Sequence, residues 1–379
     1  MPSKSAHRIA LSVFFFLSGF CFATWTSRIP TIKSAFSLND AQLGNLLMIL
    51  PISSLIGLPI SGWLVSRFDS RVPLSFAFII YCFALMAIGF STDMTMLIAS
   101  VACFAFCMRI FNISVNTQSI MLQRQYDKKI NGSFHGLWST GGVSGVLFTT
   151  IMIRCHITMQ WHMLMVSGIT VLSTILAYPY LLKNDRATSG NRLILGKPDQ
   201  FIFLLGLIVF LSAICEGGMF DWSGVYFRDV VKQEIFTLGY LIFMIFMACS
   251  RFYSDRLIER IGMQKTYIFS ASLISLGILI VVLFPFFWSV LFGFSITGIG
   301  VASIIPMTFT LAGRSTKYSP GMAISIIASF SIVGMLVGPS VIGYISHWLG
   351  LKYAFILFIL SGLIMIPISK KFFAISTVH

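Results

Sequence analysis

Apolar runs about as long as a bilayer is thick follow one another from end to end of this chain, and nothing else restricts its fold so much. A hydrocarbon core of roughly 30 Å takes about 20 helical residues to cross, and runs of that length close their own backbone hydrogen bonds as α-helices. Windows of that size place spans near 8–28, 41–66, 73–92, 95–122, 131–153, 161–182, 200–226, 236–256, 264–286, 288–312, 320–345 and 351–370. With twelve spans in 379 residues, almost nothing remains for a soluble domain. Composition agrees: 57% of residues are hydrophobic, 10% are charged, and the mean hydropathy is +0.90, which no ordinary soluble domain matches.

The net charge of +14 does not mark a nucleic-acid binder, because the basic residues punctuate apolar runs and are not gathered on one polar face. Their distribution sets an orientation instead. With both termini inside, the cytoplasmic connections hold nineteen Lys and Arg, the outer ones six, and Arg109 lies in a span. The positive-inside rule therefore predicts cytoplasmic termini and a multi-pass protein of the cytoplasmic (inner) membrane. The start of the chain, basic and then apolar, shows no small-residue cleavage site and reads as the first span. Seven cysteines without CxxC spacing read as small apolar residues, neither a disulfide framework nor a metal site.

The longest polar stretch, KNDRATSGNRLILGKPDQ at 183–200, follows the sixth span and is rich in charge and turn formers. It divides the chain into an N-terminal six-helix bundle (1–182), a cytoplasmic linker (183–199) and a C-terminal six-helix bundle (200–379). A repeat supports the division: Arg67 and Arg71 recur as Arg256 and Arg260 at an offset of 189, which also maps Gly132 onto Gly321 and Gly145 onto Gly334. Arg124 onto Arg314, at 190, extends the match. Repeated six-helix halves are a transporter architecture with a solute site near the midplane.

SRFYSDRLIERIG at 250–262 resembles the basic loop signature that major facilitator proteins carry between helices two and three and again between eight and nine. FNISVNTQ (111–118), FHGLWSTGGVSG (134–145), CEGGMFDWSGVY (215–226) and GIGVASIIPMTFTLAGR (298–314) resemble a poorly characterised bacterial inner-membrane branch of that superfamily. The resemblance covers essentially the whole chain. It implies an all-α membrane fold of about twelve helices in two six-helix repeats, and a cytoplasmic gate built from Arg67, Arg71, Asp255, Arg256 and Arg260. In the first copy, GWLVSRFDSR at 62–71, Ser66 takes the usual acidic position and Asp69 that of the second glycine, so the first half departs from the pattern.

Ionisable residues within spans are the best local pointers to function, since a charge at the bilayer centre costs about 2.5–3.5 kcal/mol on insertion scales. Glu216 lies about sixteen residues into span seven, which makes it a candidate to load a proton, or else a glutamate that knits helices together. Ser212 and Ser223 extend its face. Arg109, Asn112 and Asn116 line one face of span four and suit a solute bearing hydroxyl, carboxylate or phosphate groups; the two amides serve equally well for interhelical hydrogen bonds. His135 can join a proton path or sit as an interfacial hydrogen-bond group, and Asp221 is a second acidic candidate. Trp25, Trp138 and Trp222 read as lining a solute site, with Trp25 and Trp222 also placed to anchor the membrane interface. Gly141, Gly142 and Gly145 in span five and Gly334, Gly338, Pro339 and Gly343 in span eleven are spaced for close helix contact.

Scattered acidic residues without metal-ligand spacing argue against a membrane-embedded enzyme. The repeat argues against a channel built as a ring, and no GxxxxGK[ST] loop points to ATP. The expectation is a cofactor-free secondary transporter of a small polar solute, coupled to protons, working as a monomer among membrane lipids; proton-antiport efflux of amphipathic drugs or metabolites is the alternative.

Overall fold

The computed structural model describes residues 3–126, 130–183, 199–318 and 320–376, so the linker assigned to 183–199 lies outside the described residues except at its two ends. The described chain is helical, with no strand. Its helices are α1 (Lys4–Ala35), α2 (Asp40–Arg67), α3 (Arg71–Phe90), α4 (Met94–Gln123), α5 (Asn131–Arg154), α6 (Met159–Ala177), α7 (Gln200–Asp229), α8 (Thr237–Ile261), α9 (Met263–Leu283), α10 (Phe287–Val301), α11 (Ile304–Ala312), α12 (Pro320–Leu349), α13 (Leu351–Ala354) and α14 (Ile356–Ser376). Eleven helical segments are long and apolar enough to cross a membrane, and the stretch Thr237–Arg251 of α8 is a shorter apolar twelfth.

Local chemistry sets the helix starts. Asp93 accepts from the Met96 N–H at 2.9 Å and Asp199 from the Ile202 N–H at 3.0 Å, which caps α4 and α7. Before α2, Asn39 and Gln42 exchange side chain–backbone bonds reciprocally. The tenth span, expected as one helix, is interrupted between α10 and α11. Pro306, third in α11, has no N–H to continue the ladder, so the break falls just before it.

The chain forms two compact units: Met1–Phe36 with Ile49–Arg192, and Ser37–Met48 with Leu193–His379. In the first, α1 packs on α5, and α3 on α4 and α6. In the second, α7 packs on α12, and α9 on α10 and α14. These are the same pairings by position in the repeat. Glycines let the long pairs approach: a Cβ on Gly145 would stand 2.6 Å from the Phe20 carbonyl oxygen, and one on Gly334 would collide with that of Phe210. Gly145 and Gly334 are the pair the offset of 189 relates, and Phe20 and Phe210 lie 190 apart.

The start of α2 belongs to the second unit. There Gly44 lies against Gly343, the Ser340 hydroxyl donates to the Gly44 carbonyl at 3.3 Å, and the Tyr344 hydroxyl donates to Asn45 Oδ1 at 2.9 Å. The Ser346 hydroxyl bonds the Asp40 carboxylate.

Candidate functional site

α7 carries the densest set of candidate groups. Glu216 is buried on it, and its Oε1 accepts from Arg251 Nη2 of α8 at 3.0 Å. The two helices run antiparallel, and the depths agree. Glu216 stands thirteen residues, or about 20 Å, from the end of α7, and Arg251 fourteen residues, or about 21 Å, from the start of α8. Glu216 therefore lies near the middle of a thirty-residue helix.

Arg251 is a correction to the sequence reading, which counted it with the cytoplasmic connections. It lies ten residues before the end of α8, as the last residue of the apolar stretch Thr237–Arg251. A carboxylate and a guanidinium at this depth neutralise each other, which makes both tolerable there. The hydroxyls of Ser212 and Ser223 on α7, the Trp222 Nε1 and the Arg251 Nε are buried without a hydrogen-bond partner among the described residues. Asp221, a little over one turn beyond Glu216, is half-buried. Trp222 and Trp25 are fully buried, so neither is an exposed interface anchor.

In the first unit, Arg109 lies fifteen residues into α4, half-buried, and its Nε has no hydrogen-bond partner among the described residues. α2 approaches it closely: a Cβ on Gly57 would stand 3.3 Å from the Arg109 Cβ. Asn112 and Asn116 follow on α4, and the Asn116 amide donates one N–H to the Asn112 carbonyl at 2.7 Å. Trp138 is half-buried, with its ring 6.2 Å from that of Phe22. His135 is exposed and packs edge-on to Phe15.

The basic loops differ between the repeats. Gly262 alone joins α8 to α9, at φ 80°, a conformation open to glycine. The first copy takes three residues, Phe68 to Ser70, between α2 and α3, so Asp69 needs no positive φ. Asp69 stands 4.0 Å from Arg71, whose guanidinium lies over the Tyr178 ring at 5.3 Å. Arg67, Arg256 and Arg260 are exposed at their helix ends, and the Asp255 side chain lies outside the described ones.

Sequence reasoning also missed Arg28 and His162. Arg28 is buried on α1; its Nε donates to His162 Nδ1 of α6 at 3.1 Å, and its Nη2 to the Ile157 carbonyl at 3.1 Å. Arg28 closes an apolar run, so from sequence it reads as an outer-loop residue.

The profile described as Major Facilitator Superfamily matches residues 11–320. An uncharacterised MFS-type transporter of Yersinia pestis is 26% identical over 353 residues, 92% of this chain and 91% of the relative. Membrane protein MosC of Rhizobium meliloti is 28% identical over 375 residues, 98% and 91% of the two chains. Among solved structures, a bacterial homolog of the human lysosomal transporter Spinster superposes with a TM-score of 0.76 at 15% identity, covering 98% of both chains. The nucleoside transporter NupG gives 0.75 at 12% identity, covering 97% of this chain and 98% of its own. At such identities these likenesses describe the fold.

Proposed function

The chain belongs to the Major Facilitator Superfamily, and from that premise we propose that it carries a small polar solute across the cytoplasmic membrane by proton-coupled alternating access. It is a multi-pass membrane protein and a transporter of the secondary kind, not an enzyme. The observation that carries the coupling is the buried Glu216–Arg251 pair. A carboxylate held 3.0 Å from a guanidinium in the middle of a membrane helix has two stable arrangements: ionised and paired, or protonated and released. A solute and a proton that change the balance between them change which conformer of the carrier is favoured.

In this reading Glu216 carries the proton, Arg251 is its partner and Asp221 lies on the proton's route; His135 is a separate proton-handling candidate in the first unit. Arg109, Asn112 and Asn116 hold the solute, with Trp25 and Trp138 of the same unit as further candidates; in the second unit Trp222 is a candidate beside Glu216 on α7. Each unit contributes its own basic gating loop, exposed Arg67 with Arg71 in the first and exposed Arg256 and Arg260 with Asp255 in the second.

A thermal-shift screen of the purified chain against sugars, organic acids, nucleosides and cationic drugs, repeated on Arg109→Ala, identifies the solute class. A polar hit lost in the variant is expected. Hits confined to amphipathic cations and indifferent to Arg109 would favour drug export. With the hit reconstituted in vesicles, Glu216→Gln is expected to abolish accumulation driven by a pH gradient while solute exchange partly survives. Unchanged proton coupling in that variant overturns the assignment.

A further inference from the structure

Arg28 presents a charge problem that its own unit does not solve. It is only 4% exposed, yet both groups that accept from it, an imidazole nitrogen and a backbone carbonyl, are neutral. The helices of that unit, α1, α3, α4, α5, α6 and the part of α2 from Ile49 on, contain no Asp or Glu, and Asp93, in the α3–α4 connection at the same end, is engaged in capping the Met96 N–H of α4. A guanidinium cannot shed its proton, and it carries five N–H groups, of which two are used here.

His162 adds an independent observation. Arg28 Nε can only donate, so His162 Nδ1 must present its lone pair, and a neutral imidazole then bears its hydrogen on Nε2. That Nε2 is fully buried, with no partner among the described residues. Water alone would satisfy the spare N–H groups, but the positive charge would remain uncompensated in a low-dielectric setting, which is the costly condition.

We propose that Arg28 and His162 form a binding site for a small anion at the end of this unit where the α5–α6 connection lies. Its ligand is a compact, hydrogen-bond-accepting anionic group such as acetate, inorganic phosphate or the phosphate of an anionic lipid. The guanidinium supplies the charge and its free N–H groups; the imidazole, accepting from Nε through Nδ1, fixes its orientation. The site is separate from Arg109, which lies about halfway along α4, and it does not rest on the transport mechanism proposed above.

The test is the melting temperature of the full chain in detergent, with sodium acetate or phosphate titrated against a HEPES salt, whose sulfonate is carried on a bulky molecule, at constant ionic strength. A saturable rise of several degrees is expected, with a half-saturating concentration at least tenfold higher in Arg28→Gln and unchanged in Lys265→Gln, which alters an exposed lysine outside every site described above. Equal stability in all salts, or an equal response in Arg28→Gln, overturns the site and leaves water as its occupant. Should Arg28→Gln fail to fold, bromide quenching of wild-type tryptophan serves instead, because Trp25 lies one turn before Arg28 on α1. A saturable component competed by acetate supports the site, and purely collisional quenching overturns it. Discs of phosphatidylglycerol and of phosphatidylcholine, free of small anions, separate the two sources. Stabilisation by the anionic lipid that leaves acetate without effect identifies the headgroup; an acetate response of equal size in both identifies a free anion.

Discussion

Arg251 and Arg109 occupy nearly the same station in their helices, fourteen residues into α8 and fifteen into α4, but among the described residues only Arg251 has a carboxylate beside it. Removing one member of such a pair leaves the other charge buried and unmatched, which costs more than the pair contributes. Arg251→Gln is therefore expected to destabilise the protein by about 3 kcal/mol, read as a lower unfolding midpoint in detergent. The Glu216→Gln/Arg251→Gln double variant should lie closer to wild type than Arg251→Gln alone. Additive losses would show that the two groups are not coupled. Of these residues Glu216 and Arg109 were legible in the sequence, since each is a lone charge inside an apolar run. Arg251 was not, because Asp255, Arg256, Glu259 and Arg260 follow it so closely that the charge density looks like a loop. Which nitrogen meets which oxygen depends on helix rotation, and hydropathy carries no information about that.

At the scale of the helix, the glycines separate into two kinds. Gly145 and Gly334 stand where a side chain would strike the backbone of α1 and of α7. Gly145→Leu and Gly334→Leu should each cost about 1–3 kcal/mol through overpacking. Gly168 lies inside α6 with no atom near the place its Cβ would take. Gly168→Ala should instead stabilise by up to about 1 kcal/mol, the helix-propensity difference. Opposite signs from the same kind of residue, measured in one set of thermal melts, check the packing directly; a loss at Gly168 equal to that at Gly145 would contradict it. Twelve spans and the glycine-lined pairs were readable because length and small-residue spacing are one-dimensional signals. The interruption between α10 and α11 was not, since GIGVASIIPMT is apolar throughout and only Pro306 marks the place. The end of α8 was drawn at 256, five residues short of Ile261, because a helix continues past the apolar zone into charged surroundings that hydropathy scores as loop.

Across the whole molecule, the same helix pairings in both units give the repeat a physical meaning that the sequence carried only as a few arginines and glycines at a fixed offset. The helix placements also alter the charge count on which orientation rests. Arg251 leaves the nineteen of one face and Arg28 the six of the other, since Arg28 is buried seven residues before the end of α1 and Arg251 is paired with buried Glu216 ten residues before the end of α8, which makes eighteen against five. The asymmetry thus rises slightly, from about threefold to more than threefold, once buried arginines are no longer counted with the loops. Only residues in short loops and near span ends count in the positive-inside rule, and most of the eighteen are of that kind. Both ends of the chain are accordingly expected in the cytoplasm: green fluorescent protein fused after His379 should fluoresce, and alkaline phosphatase at the same position should be inactive. The reverse placement, phosphatase fused after Lys232 between α7 and α8, should be active. A bright phosphatase signal at His379 would invert the topology, and with it the face assigned to Arg67, Arg71, Arg256 and Arg260 and the side from which Glu216 would be reached.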